Sequence, residues 1–261
     1  MNKLYIIILA ILLIACKQNK NTELILPHEQ QVFIDSINNF CKKRAQERNA
    51  IKRKEIYDNY ENWINSFSDS IVYVSNWKGK VKGIKITDAS AFNATSIEFD
   101  IEIPLRDDKI IEIGFEKYIP KGKETENLIY NQLKSIQSRK TVTFDGTFRI
   151  TDKRKIKFGG QFGTWDNEGD NICNPHLEMS ITSIKADSIS DSPNLLKMKR
   201  FVAEQMRVTE MAANKEISSS EQGKKIKNIE KKKTGLKGKL TENENKEVTY
   251  LGTELYLKIS N

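Results

Sequence analysis

The chain has 261 residues, of which 38% are hydrophobic, and it carries a formal net charge of +8 at pH 7. This length allows one or two domains, and the hydrophobic content is low but sufficient for one modest core. After the first fifteen residues no run is long and apolar enough to predict a membrane span, which argues against a polytopic membrane protein. The positive surplus is concentrated in residues 215–240, where nine lysines accompany three glutamates.

The first sixteen residues have the layout of a secretion signal. An apolar run from Leu4 to Ala15 follows a short basic start and ends in the tetrapeptide LIAC at residues 13–16, which resembles the lipobox of a bacterial lipoprotein signal peptide. As a helix this run would measure about 18 Å, well short of the roughly 30 Å hydrocarbon core of a bilayer. We therefore expect cleavage between Ala15 and Cys16, and attachment of fatty acids such as palmitate at Cys16.

The resemblance also implies a location. Lys17 follows the predicted anchor, so an aspartate signal for inner-membrane retention is missing, and residues 18–21 lack the acidic cluster associated with surface export in some lineages. We expect a protein anchored in the outer membrane of the cell envelope and facing the periplasm, with residues 16–27 as a polar tether.

Helical periodicity begins near Pro27. Apolar residues recur every three or four positions in two stripes, and a charged segment separates them. The pattern predicts one long or broken helix over residues 28–67. The stripes comprise Phe33, Ile37, Phe40, Cys41 and Ala45, then Ile56, Tyr60, Trp63, Ile64 and Phe67.

From residue 71 the sequence pattern changes to alternating β-branched and polar residues. A helical pattern at residues 126–137 interrupts this alternation once. The resulting order is β-β-β-α-β-β, the order of the OB-fold, in which the helix covers one end of a five-stranded Greek-key barrel. We predict an α+β fold with the N-terminal helix packed on an OB-like barrel over residues 71–186. The predicted strands are 72–87, 95–104, 109–119, 140–150 and 176–186.

Three segments within this region, residues 74–81 (VSNWKGKV), 133–148 and 177–184, carry a resemblance. They are similar to a group of bacterial secreted and lipid-anchored proteins with an OB-fold-like domain and no characterised activity. The resemblance covers roughly residues 30–186 and implies a fold and a compartment only. The chain departs from that group between Thr151 and Pro175 and again after Asp187.

The C-terminal part has no counterpart in that group. Residues 187–194 read as a linker, and residues 195–213 have the spacing of a helix. The lysine-rich stretch 218–239 holds few large apolar residues, which favours a mobile or extended segment. Residues 248–259 alternate as a strand, which would pair with residues 235–241 or join an edge of the barrel.

Two cysteines remain once Cys16 is acylated. Cys41 and Cys173 lie 132 residues apart, and an oxidising envelope would permit a disulfide between them. Sequence spacing does not decide between this disulfide and two buried free thiols.

An OB-like barrel suggests a binding face lined by aromatic residues, and Trp77, Tyr118, Phe162 and Trp165 are the candidates. Nucleic acid is a poor partner for such a face here, because the barrel region is near charge balance and the expected compartment holds little of it. A protein or glycan of the envelope fits the location better.

Metal and catalytic motifs are incomplete. A zinc site built on Cys173 and His176 would need two more ligands, of which only His28 and Cys41 remain. A Cys173–His176 nucleophile pair lacks an orienting group. The acidic residues at 166–170 miss the glycine and the final glutamate of a calcium loop. We expect no metal, no cofactor and no catalytic residue.

Two features remain as candidates for surface chemistry. Ser70 and Ser188 lie in Asp-Ser-Ile triplets at predicted element boundaries, which look like the O-glycosylation acceptors of some bacterial lineages. A lysine cluster would either dock on anionic lipid headgroups or form a solvated tail. The cluster comprises Lys224, Lys225, Lys227, Lys231, Lys232 and Lys233.

These observations predict a lipoprotein that is not an enzyme and that recognises a protein or glycan partner through its barrel. One alternative is an inhibitor or immunity-type lipoprotein that blocks a toxin or hydrolase. Another is an envelope hydrolase with an unrecognised site, which would require a deep cleft lined by carboxylates with shifted ionisation.

Overall fold

The computed structural model describes residues 26–71, 73–151, 155–158, 172–187 and 191–260, with side chains to residue 256. Over these ranges the chain forms two N-terminal helices, a closed five-stranded barrel with a short helix, and three C-terminal helices. The helices are α1 (His28–Gln46), α2 (Ala50–Ser70), α3 (Leu128–Leu133), α4 (Pro193–Ala213), α5 (Ser219–Lys237) and α6 (Glu242–Ser260). The strands are β1 (Val74–Ala89), β2 (Ala94–Pro104), β3 (Ile110–Pro120), β4 (Thr141–Phe148) and β5 (His176–Ala186).

The barrel has the strand order β1-β2-β3-β5-β4 and closes where β1 pairs with β4. All neighbours are antiparallel except β3 and β5, which run parallel. Helix α3 lies between β3 and β4 in the chain and packs on β5, where the side chain of Gln132 accepts a hydrogen bond of 2.9 Å from the backbone of Ile184. This arrangement confirms the predicted α+β fold with an OB-like barrel.

The barrel interior is filled by alternate residues of each strand. Ile97, Phe99, Ile101 and Ile103 of β2 are buried, and the residues between them point outward. A shift of one residue in register would move this whole apolar set to the outside, so burial fixes the register. The same alternation in the sequence located the strands.

The N-terminal segment forms two separate helices, which corresponds to the broken alternative of the predicted helix. The chain leaves the helix at residues 47–49, and the side chain of Asn49 then caps α2 by accepting hydrogen bonds from Ile51 and Lys52. The two helices pack on each other and on one end of the barrel, where Phe33 meets Phe67.

A disulfide joins Cys41 of α1 to Cys173, with 5.0 Å between the Cα atoms. Cys173 lies just before β5, so the bond connects the N-terminal helix to the chain that enters the last strand. Of the two alternatives left open by the sequence, the structure contains the disulfide.

The C-terminal prediction was wrong at two places. Residues 248–259 belong to helix α6 and not to a strand, because Leu251 and Leu255 lie on one helical face and are buried with Val202 and Ala203 of α4. The apolar residues of this segment fit both the two-residue period of a strand and the 3.6-residue period of a helix, and contact with α4 selects the helix.

No described helix is long and apolar enough to cross a membrane.

The lysine-rich stretch is likewise a helix, α5, and not an extended segment. Its first turn is capped by Ser218, whose side chain accepts a hydrogen bond from the backbone of Glu221. Ile229 is its one fully buried residue and packs towards the neighbouring helices. Few apolar residues suffice, because α5 packs against the rest of the protein along only one of its sides.

Candidate functional site

The outward-facing residues of β2, β3 and β5 form an acidic surface on the barrel. They alternate with the buried core residues, so the same register that fills the barrel projects carboxylates from its outside. We call this surface the acidic face; its carboxylates are Glu98, Asp100, Glu102, Glu112, Glu116 and Glu178.

Two pairs of like charges lie directly opposite each other across β2 and β3. Glu102 is paired in register with Glu112, and Glu98 with Glu116. Opposed like charges on neighbouring strands destabilise a sheet. Lys82 relieves the first pair, because its Nζ atom lies 3.1 Å from Glu102 and 3.4 Å from Glu112.

The Glu98–Glu116 pair has no such relief from the described residues. Neither carboxylate forms an ion pair there, although Glu116 accepts a hydrogen bond of 2.6 Å from the hydroxyl of Tyr118. This hydrogen bond raises the pKa of Tyr118. The pair therefore forms no direct ion pair at this end of the acidic face, and Lys85 of β1 lies opposite Glu98 in the strand register.

His176 lies across the middle of the acidic face. Gly114 makes room for it, since a Cβ atom at residue 114 would approach Nε2 of His176 to 2.7 Å. The imidazole lies 3.9 Å from Asp100 and 4.0 Å from Glu112. Partial burial, helped by the charge of Glu112, raises the pKa of Asp100 above its ordinary value.

These residues line a groove of about 480 Å³ that runs across the barrel wall. Arg149, at the end of the β4 side, donates a hydrogen bond of 2.7 Å to the carbonyl of Glu116 and lies 3.4 Å from the carboxylate of Glu178. The groove therefore offers charged hydrogen-bonding groups of both signs, with the negative sign in excess.

An aromatic pair marks the end of the face beside the β1–β2 connection. Phe92 is 73% exposed and Tyr118 is 48% exposed, and their ring centroids lie 5.5 Å apart at an angle of 62°. The left-handed conformation of Asn93 turns the chain directly after Phe92. OB barrels hold ligands on the face of β2 and β3, near this connection.

Of the four aromatic residues predicted to form a binding face, the structure describes two. Tyr118 lies exposed at the acidic face, whereas Trp77 is fully buried, so its assignment to a binding face was wrong. Trp77 points to the end of the barrel that α1 covers, where its ring lies 5.1 Å from that of Phe33. Phe162 and Trp165 lie outside the described residues.

The other predicted sites are distributed over the molecule. Ser70 ends α2 and is exposed, with its hydroxyl donating a hydrogen bond to the carbonyl of Phe67. The sulfur of Cys173 is used in the disulfide and cannot form a zinc site with His176. Ala15, Cys16 and Ser188 lie outside the described residues.

A second cluster of charges is buried between the barrel and the C-terminal helices. The ammonium group of Lys199 in α4 contacts three carboxylates, and Lys185 of β5 contacts two of them. The carboxylates are Asp145 of β4, Asp191 before α4, and Glu247 of α6.

These three carboxylates lie within 4.8 Å of one another, a spacing that could hold a metal ion. The ammonium of Lys199 takes that central position, at 2.5 Å from both Asp145 and Asp191. A protein cation therefore already supplies the positive charge that the carboxylates need, and we assign this cluster a structural role.

The pKa values in the cluster shift in opposite directions. Burial would lower the pKa of Lys199, but the three carboxylates outweigh burial and raise it. Burial also opposes ionisation of Asp191, yet Lys199 and Lys185 lower its pKa. For Asp145, burial dominates and raises the pKa. Three carboxylates share two lysines, and Asp145, whose pKa is raised, is the carboxylate that resists ionisation in the folded state.

Sequence analysis did not single out the acidic face or the buried cluster. The signal for the face was present, because residues 97–103 and 111–116 place an acidic residue or glycine at every second position between apolar ones. For the cluster the signal was weaker: Lys199 occupies the apolar side of a predicted helix, next to Met198 and three residues before Val202.

Comparison with protein-family models, with curated proteins and with solved structures finds no match to this chain.

Proposed function

We propose that this chain is an envelope lipoprotein anchored through Cys16, facing the periplasm from the outer membrane, whose barrel binds a cationic segment of a partner protein without catalysis. One observation carries the binding role: the Glu98–Glu116 pair, which forms no ion pair among the described residues, lies next in register to Tyr118, whose ring contacts the exposed ring of Phe92. Opposed like charges destabilise the free protein, and a bound cation would relieve their repulsion. An adjacent ring adds apolar contact for the same ligand.

The position of the pair supports the proposal. It lies on the β2–β3 face, between the β1–β2 connection that carries Phe92 and the β4–β5 connection that begins at Arg149. OB barrels bind their ligands between these two connections.

A cationic peptide is favoured over a glycan by the chemistry of the face. Carboxylates predominate, and a sugar that stacks needs an open ring face. The ring of Tyr118 is already in contact with that of Phe92 and is held by the hydrogen bond to Glu116. Lysine and arginine side chains match both features, since they pair with carboxylates and pack along aromatic rings.

One observation supports the alternative proposal of an inhibitor or immunity-type lipoprotein. Phe92 projects from the barrel rim next to carboxylates, and such a side chain can enter the cleft of a basic hydrolase or toxin. Addition of the purified chain to envelope hydrolases distinguishes the two proposals. Loss of hydrolase activity in proportion to bound protein favours the inhibitor.

The anchor and the binding role are tested separately. Radiolabelled palmitate should enter the wild-type chain and not the Cys16→Ser variant. For binding, the chain from residue 16 with Cys16→Ser is immobilised and exposed to envelope extract in low salt. We expect a protein with a basic segment to be retained, and to be released by about 0.5 M salt because exposed charges are then screened.

Two variants locate the binding face. Phe92→Ala with Tyr118→Ala, and Glu98→Gln with Glu116→Gln, should each abolish retention of the partner. The matched controls are Ile51→Ala, which removes an equally exposed apolar side chain from α2, and Glu55→Gln with Glu204→Gln, which removes two exposed carboxylates elsewhere. Retention of a glycan, or equal losses in variants and controls, would contradict the proposal.

A further inference from the structure

We propose that helix α5 docks on an anionic lipid surface and so orients the barrel relative to the bilayer. This inference rests on the proposed lipid anchoring at Cys16, which would hold α5 beside a membrane. The occupant of the α5 surface is the headgroup layer itself and not a protein.

The buried and charged sides of α5 are opposite. At about 100° per residue, Lys224, Lys227 and Lys231 fall within an arc of roughly 60°. Ile229, the buried contact of the helix, lies roughly 160° away from the middle of that arc. All three lysines are exposed, so they point straight away from the rest of the protein.

These lysines are also free of carboxylate partners among the described residues. Other lysines of α5 are engaged: Lys225 pairs with Glu221 at 2.8 Å, and Lys233 pairs with Glu230 at 2.8 Å. Lys232 lies 5.6 Å from the ring centroid of Phe201. The helix therefore neutralises charge on its flanks and leaves a stripe of unpaired charge, which we call the lysine stripe: Lys224, Lys227 and Lys231.

The lysine stripe is open, and helix α5 itself contains no aromatic residue. Gly235 and Gly238 continue the stripe, and a Cβ atom at either position would meet nothing within 4 Å. Small residues there allow close approach of a flat surface. Single-stranded nucleic acids are bound mainly through aromatic stacking, which α5 lacks, whereas a lipid headgroup layer requires charge alone.

The C-terminal end of α5 lies close to the N-terminal ends of its neighbours. Lys237 lines a cavity together with Met198 of α4 and Asn245 of α6. The hydroxyl of Ser192, which caps α4, donates a hydrogen bond of 2.5 Å to Glu244 in the first turn of α6. These contacts place the end of α5 beside the start of α4.

The beginning of α1 lies on the same side of the molecule. The side chain of Gln30 donates a hydrogen bond of 2.6 Å to the carbonyl of Lys78. The ammonium of Lys78 in turn lies 2.9 Å from the carboxylate of Asp187, a few residues before α4. The tether that joins Cys16 to Pro27 therefore leads into the region where Lys78 connects α1 to the chain that precedes α4.

The length of the tether permits docking. Ten residues separate Cys16 from Pro27, and the eleven Cα–Cα steps reach at most about 40 Å when fully extended. Helix α5 is about 28 Å long. Because the extended tether exceeds the helix length, an anchored chain can lay the lysine stripe on the bilayer without detaching.

The test uses the chain from residue 16 with Cys16→Ser, which keeps every residue that the structure describes and carries no lipid. Its binding to vesicles of phosphatidylcholine with 30% phosphatidylglycerol is compared with binding to pure phosphatidylcholine by co-sedimentation. We expect binding to the anionic vesicles only, and loss of binding in about 0.5 M salt.

Substitution then locates the surface. The triple variant Lys224→Gln, Lys227→Gln, Lys231→Gln should lower the partition coefficient roughly tenfold to hundredfold, since each lysine near an anionic surface contributes about 1 kcal/mol. The control triple variant Lys42→Gln, Lys52→Gln, Lys80→Gln removes the same charge from exposed positions on α1, α2 and β1. It should bind nearly as well as the parent chain.

Three outcomes would overturn the inference: equal binding to both vesicle types, equal losses in the two triple variants, or self-association of the chain through its lysines with no vesicle binding. Failure here is distinct from failure of the anchor, because palmitate incorporation reports on Cys16 in the wild-type chain, whereas the vesicle assay reports on a chain without lipid.

Discussion

The ammonium of Lys199 lies 2.5 Å from the carboxylate of Asp145, and this buried ion pair joins helix α4 to strand β4. Glu247 of α6 contacts the same ammonium, so one lysine connects two C-terminal helices to the barrel. The apolar contact beside it is small and centres on Tyr73, Val202 and Leu251. The charge cluster is therefore a principal attachment of the C-terminal helices.

The first prediction concerns Lys199. Its replacement by Met keeps the unbranched shape of the side chain, one atom shorter, but leaves three buried carboxylates without their central cation. Removal of one partner from a buried ion pair costs about 3–5 kcal/mol. We expect the free energy of unfolding, measured with urea, to fall by that amount.

The control is Lys197→Met, two residues earlier on the exposed side of the same helix. It should change the free energy of unfolding by less than about 0.5 kcal/mol. Addition of Asp145→Asn and Glu247→Gln to the Lys199 variant should restore part of the loss, since the repulsion between carboxylates disappears. Equal stability of the Lys197 and Lys199 variants would show that the cluster does not attach the helices.

The second prediction concerns alkaline pH. The pKa of Lys199 is raised above its ordinary 10.5, so the folded state keeps its proton more strongly than the unfolded state. Its contribution to stability is complete below pH 10.5 and is lost as the pH rises through the raised pKa. Burial and the charge of Asp145 raise the pKa of Tyr73 above 10.0, which acts in the same direction.

Urea unfolding at pH 8, 10 and 11 measures this effect. The wild-type chain should lose stability steadily above pH 10, and Lys199→Met should show a smaller loss, because Tyr73 and other groups with raised pKa values still titrate but Lys199 does not. If both proteins lost stability with the same slope, the pKa of Lys199 would be the same in the folded and unfolded states.

The third prediction concerns the Cys41–Cys173 disulfide. It closes a loop of 132 residues, and constraint of so long a loop in the unfolded chain stabilises the folded state by about 3–5 kcal/mol. In a Cys16→Ser background, Cys41→Ser with Cys173→Ser should lower the free energy of unfolding by that amount. Dithiothreitol should lower the stability of the parent chain equally and leave the double variant unchanged; an insensitive parent chain would contradict the bond.

The sequence predicted the barrel well because burial of one face imposes a period of two. Residues 97–103 alternate apolar and polar side chains without interruption, as a strand with one buried face requires. The C-terminal segment around Leu251 and Leu255 has apolar residues that fit both a strand and a helix. Its structure depends on contact with Val202 in α4, which the local sequence does not contain.

The candidate binding surface was harder to predict. Trp77 was chosen because aromatic residues mark ligand faces in OB barrels, but its side chain fills the barrel end under α1. Asp145 and Lys199 are 54 residues apart, and neither has a sequence neighbour that signals burial. Strand alternation alone predicts that the carboxylates of the acidic face point outward. The exposure of Phe92, in contrast, depends on the geometry of the β1–β2 connection, which the sequence pattern does not give.

The fourth prediction separates stability from binding at the acidic face. Residue 98 lies across from Glu116 of β3 and from Lys85 of β1, so Glu98→Lys replaces a like-charge pair with an opposite-charge pair on one side and does the reverse on the other. Each change is worth about 0.2–1 kcal/mol, and because they oppose each other we expect the free energy of unfolding to change by less than about 1 kcal/mol. Retention of a cationic partner should nevertheless be lost, because the substitution adds positive charge where that partner binds. Glu55→Lys makes the same change of charge on an exposed position of α2 and should keep the partner. A folded Glu98 variant of unchanged stability that still retained the partner would place the binding surface elsewhere on the molecule.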